Sequence, residues 1–171
     1  MLTTHRPSVV ADEFRAAMRE IPSVVTIVTT SVHGIRHGLT ATAVASVSAD
    51  PPQVLVCAHR ATRSAVAISA AGRFGLNFLG ADHAELAEAF AAPTADPENR
   101  FRRARWKAGP SGTPLLVDAL VAFECLVVNE IASGTHLILV GQVADVRCRE
   151  GRALIYQRGA FARPGAHAED A

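Results

Sequence analysis

The sequence predicts a mainly β fold, a closed or nearly closed antiparallel barrel carrying peripheral helices. Three observations predict it. Strand-like runs rich in β-branched residues recur along the chain, whereas helical patterns are few and short. Strand and helix do not alternate regularly, so a doubly wound parallel sheet is not supported. The last third holds three strand-like runs, VAFECLVVNEI, HLILVGQVADVR and ALIYQRGAF, which are expected to pair antiparallel; the short turn Ala132-Ser133-Gly134-Thr135 joins the first two. At 171 residues the chain is sized for one domain with a sizeable core, expected over residues 12–163 between short tails at 1–11 and 164–171.

Each element has a local reason. Phe14, Ala17, Met18 and Ile21 recur at helical spacing behind Asp12 and Glu13 and ahead of Pro22, which describes an amphipathic helix over residues 12–20. VVTIVTT (24–30) is β-branched, SVHGIRHG supplies turn glycines, and LTATAVASV is a second β-type run, together a hairpin signal. Asp50-Pro51-Pro52 breaks that run because proline donates no N–H to a ladder, and QVLVCAH restarts it. TRSAVAISAA (62–71), closed by Gly72, is a short helix, and FGLNFL (74–79) is a strand. Asp82 with Glu85 three residues on resembles a capping box ahead of a helix bearing Leu86, Ala89 and Phe90 and ending near Pro93. Residues 94–113 are polar, basic and glycine-bearing, and read as a long functional loop.

Composition excludes several classes. Lys and Arg total 17 against 16 Asp and Glu, a net charge of +1, so no global field draws the chain to nucleic acid or anionic lipid and neither is an expected partner. Hydrophobic residues make up 49% and mean hydropathy is +0.20, too apolar for a disordered chain. The apolar runs fall far short of the ~20 residues that span a bilayer, so no membrane crossing is expected. MLTTHRPSVVADEF has no continuous apolar core ahead of its acidic residues; no secretion signal is expected, and the expected location is cytoplasmic. Cys57, Cys125 and Cys148 form no C-x-x-C pair and cannot all be matched in disulfides, which suits a reducing compartment and small buried residues on strands.

Generic enzyme motifs are missing. Gly109-Pro110-Ser111-Gly112 lacks the spacing and the preceding strand of a nucleophile elbow and reads as a turn. Neither a glycine-rich dinucleotide fingerprint nor a P-loop is present. His33 and His37 flank a hairpin turn, where their spacing does not aim both rings at one ion, so no metal is expected. Two stretches remain. From Gly38 to Ser48 small hydroxyl and alanine residues alternate, which lets a flat ligand approach the backbone; a strand with its hydroxyls on the solvent side reads the same way. Arg60-Ala61-Thr62-Arg63-Ser64 stands at a helix start, where N–H, hydroxyl and guanidinium groups converge on a phosphate or Thr62 serves as an ordinary cap.

The order of segments resembles that of the short flavin reductases, which supply reduced flavin to two-component monooxygenases and are built on the FMN-binding split barrel. The likeness runs from Phe14 to about Arg163. It rests on FRAAM, PSVVTIVTT, GLTATAVASVSADPP, FGLNFL with AEAFA after it, RFRRARW with GPSGTPLL, FEC, SGTHLILVGQV and LIYQRGAF, in that order. The resemblance implies an antiparallel split β-barrel with peripheral helices and an NAD(P)H:flavin oxidoreductase that passes hydride from NADH or NADPH to FMN or FAD. It implies a homodimer and a monooxygenase partner. Thr40, Ala41, Thr42, Ser46, Val47 and Ser48 would lie along the isoalloxazine and ribityl chain, and Thr62, Arg63 and Ser64 would hold the phosphate. His136 would stand near the nicotinamide as the catalytic residue, and Tyr156, Arg158 and Phe161 would lie near the bound flavin or nicotinamide. Val24 departs from the family's usual glycine, His83 from a common glutamine, and Thr135 from the acidic residue that commonly precedes the histidine. The rival readings are a tight flavin-binding oxidase or oxygenase of the same fold, and a non-enzymatic flavin-binding module.

Overall fold

The structure, a computed structural model, describes residues 9–94 and 96–165. The tails expected at 1–11 and 164–171 lie mostly outside that range. β2 (Thr26–Val32) and β3 (Ile35–Ala41) pair antiparallel as the hairpin the sequence predicts. Their turn residues His33 and Gly34 have φ of 50° and 79°, the mirror-image turn that matches the twist of the flanking strands. β4 (Val44–Ala49), β5 (Pro52–His59), β6 (Arg73–Phe78), β9 (Val121–Ser133) and β10 (His136–Cys148) complete a seven-stranded antiparallel sheet in the order β3-β2-β6-β9-β10-β5-β4. The long β9–β10 pair is the hairpin expected across Gly134.

Three strand expectations are corrected. The run LTATAVASV is two strands: β3 ends at Ala41 and β4 starts at Val44, because these two strands occupy opposite edges of the same sheet. The third C-terminal run does not join β10. It folds on itself as β11 (Ile155–Gln157) and β12 (Ala160–Ala162), and pairs with β1 (Ser23–Val24), in a separate three-stranded sheet. The positive φ of Arg158 (53°) and Gly159 (84°) makes that tight turn. Residues 94–113 are not a bare loop, since they contain α4 (Glu98–Phe101) and β7 (Trp106–Ala108), which pairs with β8 (Pro114–Leu116). Aromatic packing stiffens this segment: the Phe101 ring lies 5.0 Å from both Phe90 and Trp106.

The helices are short. α2 (Arg63–Ala71) is capped by Thr62 and closed by Gly72 in the left-handed conformation, as the sequence predicts. α3 (Ala84–Ala91) has no Asp82 capping box; its N-cap is His83, whose Nδ1 accepts from the Gly80 N–H at 3.2 Å. α1 (Ala11–Arg19) buries none of its residues, and Phe14, Met18 and Ile21 face outward. The expected turn at 109–112 exists and closes over Glu124, a fully buried carboxylate that accepts from the Ser111 hydroxyl at 2.7 Å. Cys125 is buried as expected, its thiol pushed up to about 12 by burial and then by the Glu124 charge, whereas Cys148 is exposed.

Two apolar clusters form. One gathers Ile27, Leu79, Phe90, Phe101, Leu115 and Leu154 with the helices α3 and α4. The other gathers Val28, Val56, Ile68, Phe74, Leu76 and Leu139 with α2. Asn77 on β6 links strands that side chains alone would not hold in register: its Nδ2 donates to Ile27 O at 2.9 Å, and its Oδ1 accepts from Leu116 N–H at 2.8 Å. Asn77→Ala leaves the buried Leu116 N–H without a partner, and the expected loss is about 1–3 kcal/mol of stability in a urea melt.

Candidate functional site

Two cavities lie side by side between β3 and α3 and meet at Ala91. The first, about 590 Å³, is mostly apolar and is lined by Val25, Thr40, Thr42, Glu88, Tyr156, Gly159, Ala160 and Phe161 as well as Ala91. Tyr156 and Phe161 are partners across the β11–β12 ladder, with ring centroids 5.3 Å apart. The Thr40 hydroxyl donates to Ala87 O at 2.6 Å, which ties β3 to α3 and engages its only proton. Thr42 stands in the break between β3 and β4, outside either ladder. The N–H groups of Thr42 and of its neighbour Ala43 meet no acceptor among the described residues, so Thr42 brings a free backbone donor to this wall.

The second cavity, about 380 Å³, lies between Gly38 and Leu39, the start of α2, the end of α3 and Arg100 of α4. It is basic. The three residues expected to hold a phosphate all line it, but their hydroxyls point to other work. Thr62 Oγ1 accepts from Ala65 N–H at 3.2 Å and donates to His59 O at 2.9 Å, the capping alternative read from the sequence. The Ser64 hydroxyl is buried and donates to Gly38 O at 2.8 Å. What remains for an anion is the exposed Arg63 guanidinium and the N–H groups of Arg63 and Ser64, the first two of the helix, which have no acceptor inside it. His37 lies close by; burial holds its pKa down, and the Arg63 charge lowers it further while Glu98 opposes.

Several expected residues stand elsewhere. Ser46 and Ser48 line a separate groove of about 480 Å³ with Phe123 and Val143, and Val47 between them is half exposed. The strand break at Thr42 thus separates them from Thr40 within one chain. Ala41 is packed in the second core cluster, and its carbonyl accepts from Thr26 Oγ1 at 2.7 Å. Arg158 does not line the cavity: its guanidinium pairs with Glu20 at 2.6 Å, and its N–H bonds Arg19 O, which anchors α1. His136 opens β10 on the exposed surface, its Nδ1 2.9 Å from Thr135 Oγ1 and its ring 5.4 Å from His59. Its Nε2 has no partner among the described residues. Sequence reasoning missed Glu88 and Arg100; both lie on helical segments whose faces only the packing reveals.

A family profile described as "Flavin reductase like domain" matches residues 18–165. The chain belongs to the flavin reductase family. It is 40% identical to the FMN reductase (NADH) RutF of Ancylobacter novellus over 151 residues, covering 88% of this chain and 83% of that protein. It is 39% identical to the reductase component of the 4-nitrophenol 4-monooxygenase/4-nitrocatechol 2-monooxygenase of Rhodococcus opacus, covering 87% and 78%. Among solved structures it superimposes on the flavin reductase PheA2 with a TM-score of 0.84 at 30% identity, over 92% of this chain and all of that one. It also matches the Streptomyces globisporus NADH:FAD oxidoreductase SgcE6, in complex with NAD and FAD fragments, with a TM-score of 0.85 at 28% identity over 92% and 94%. The mainly β split barrel is therefore the flavin reductase fold.

Next to the basic cavity, Arg36 binds Glu98 through its Nε at 3.1 Å. These hydrogen bonds, then the Arg36 charge, hold the Glu98 carboxyl below its ordinary 4.5. A carboxyl lowered on folding stabilises above its unfolded value and loses that contribution as pH falls through its folded value. Glu98→Gln should therefore lower stability by about 0.5–1 kcal/mol at pH 7. In melts across pH, the gap from the parent should close as pH falls below the ordinary carboxylate range and through the lowered folded value.

Proposed function

We propose that the apolar cavity at Thr42, Tyr156 and Phe161 takes the flavin ring and the adjoining basic cavity its phosphate, in an NAD(P)H-dependent flavin reductase. The observation that carries this is the adjacency itself. A flat apolar space with a free backbone donor on one wall opens at Ala91 into a basic space at a helix start, and a flavin nucleotide has the same two halves. When bound, the flavin accepts hydride at N5 from C4 of the dihydronicotinamide, so no protein nucleophile is required. The chain's own residues bind and orient. Tyr156 and Phe161 exclude water from one side of the ring site, and the Thr42 amide donates where negative charge develops on reduction. The relatives named as NADH-dependent FMN reductases favour FMN and NADH, and the reductase components among them favour a monooxygenase that takes up the reduced flavin. The cytoplasm is the matching location; among the described residues no helix is long and apolar enough to cross a membrane. Anaerobic mixing of the protein with FMN or FAD and either nicotinamide tests the reading. Bleaching of the flavin absorbance is expected, fastest with FMN and NADH, and absence of bleaching with all four pairs overturns it.

His136 is the residue we assign to the nicotinamide. It opens β10 opposite His59 of β5, exposed and with its Nε2 unengaged among the described residues, and Thr135 holds the ring through Nδ1. His136→Ala should leave FMN affinity within about twofold and slow flavin reduction at least ~10-fold in anaerobic rapid mixing, as when orientation alone is lost.

A homodimer completes the proposal. Val47, Leu126, Val128, Ile131 and Val146 are each about half exposed on β4, β9 and β10, an apolar surface that a second copy would cover. Sedimentation at micromolar concentration should give twice the chain mass, and Val128→Glu with Ile131→Glu should shift it toward the monomer.

A further inference from the structure

Arg100 occupies an unbalanced electrostatic position. Its Nη1 donates to Gly38 O at 3.0 Å and more weakly to Phe90 O at 3.4 Å, and its guanidinium centre lies 5.8 Å from the Phe90 ring. Its Nε is buried and meets no hydrogen-bond acceptor. Among the described residues no carboxylate lies within ion-pair distance, in contrast to Arg36, which Glu98 neutralises. Burial correspondingly pulls the Arg100 pKa down. A partly desolvated cation held only by neutral carbonyls is costly until an anion reaches it.

The same position borders the phosphate end of the site. Arg100 lines the basic cavity opposite Arg63, and also a smaller adjoining cavity of about 160 Å³ that Asn99 and Arg103 share. Gly38 O accepts from both Ser64 Oγ and Arg100 Nη1, so one carbonyl fixes the spacing between the first turn of α2 and the guanidinium. With the Thr62 and Ser64 hydroxyl protons engaged inward, side-chain charge for a phosphate in this space comes from Arg63 and Arg100.

We propose that Arg100 holds the flavin's phosphate against the start of α2 and makes the site select phosphorylated flavins over riboflavin. The inference rests on the flavin reading of the two cavities. FMN and FAD share a phosphate on the ribityl chain, so both are recognised by this chemistry. The test measures dissociation constants of the full chain for FMN, FAD and riboflavin by flavin fluorescence, in the parent, Arg100→Gln and Arg100→Lys. Arg100→Gln is expected to weaken FMN at least ~10-fold, the loss of one charge-assisted contact, and to leave riboflavin within about twofold. An equal loss for FAD assigns the contact to the shared inner phosphate, and a loss for FMN alone to the free phosphate of the mononucleotide. Equal weakening of FMN and riboflavin overturns the proposal, because it makes Arg100 a prop of the fold, and so does an unchanged FMN constant. If circular dichroism shows Arg100→Gln unfolded, Arg100→Lys decides. Lysine keeps the charge but cannot bridge Gly38 O and a ligand through a planar fork, so FMN should weaken severalfold with riboflavin unchanged, and an unaltered ratio of the two constants overturns the assignment. A parent protein that binds none of the three flavins refutes the flavin reading itself. One that binds riboflavin as tightly as FMN refutes the phosphate seat alone.

Discussion

The two edge strands of the seven-stranded sheet are neighbours in the chain, with only Thr42 and Ala43 between them. Laid flat at ~4.8 Å per strand, the sheet would hold those edges about 29 Å apart. Three residue steps reach only about 11 Å. The sheet therefore has to curl until β3 and β4 meet, and that closure makes a barrel of it. The break is also where the backbone leaves both ladders, and Thr42, whose amide has no ladder partner, lines the apolar cavity. Closure and a cavity-lining donor are one local event.

The charge end depends on a different device. Polar groups at the start of α2 first satisfy the fold: Thr62 caps, and Ser64 ties the helix to β3. Only charges that the fold leaves unmatched remain for a ligand. In the proposed reading, apolar rings and amides shape one space and cations the other, while the redox chemistry resides in the nucleotides.

Much of this was legible in the sequence. β-branched runs, the Gly34 and Gly134 turns and the Thr62/Gly72 caps are local signals, and the strands and α2 they mark are where they were expected. Tyr156 and Phe161, like Thr40 and Thr42, were named beforehand and share a cavity. What was not legible is what tertiary packing decides. A continuous small-residue run carries no mark of a change of edge, so the division of LTATAVASV and the departure of Ser46 and Ser48 from Thr40 were hidden. In the 94–113 segment two aromatics among polar residues show no period, yet Phe101 and Trp106 against Phe90 suffice to order it. Hydroxyls at a helix start look alike whether they face a ligand or a carbonyl, and only the distance from Ser64 to Gly38 O decides that.

Gly38 itself has no side chain to vary. A Cβ there would stand 2.6 Å from the Phe90 ring, so any other residue must displace the ring that packs against α4. The point that sets the distance between Ser64 and Arg100 is therefore a main-chain oxygen at a position with almost no room for substitution, while the cations around it stand on side chains that can be exchanged. Descendants of this chain can diverge in the charge and reach of residues 63 and 100 without disturbing the strand between them. In evolutionary terms the frame of the proposed seat is locked and its contents are free to drift.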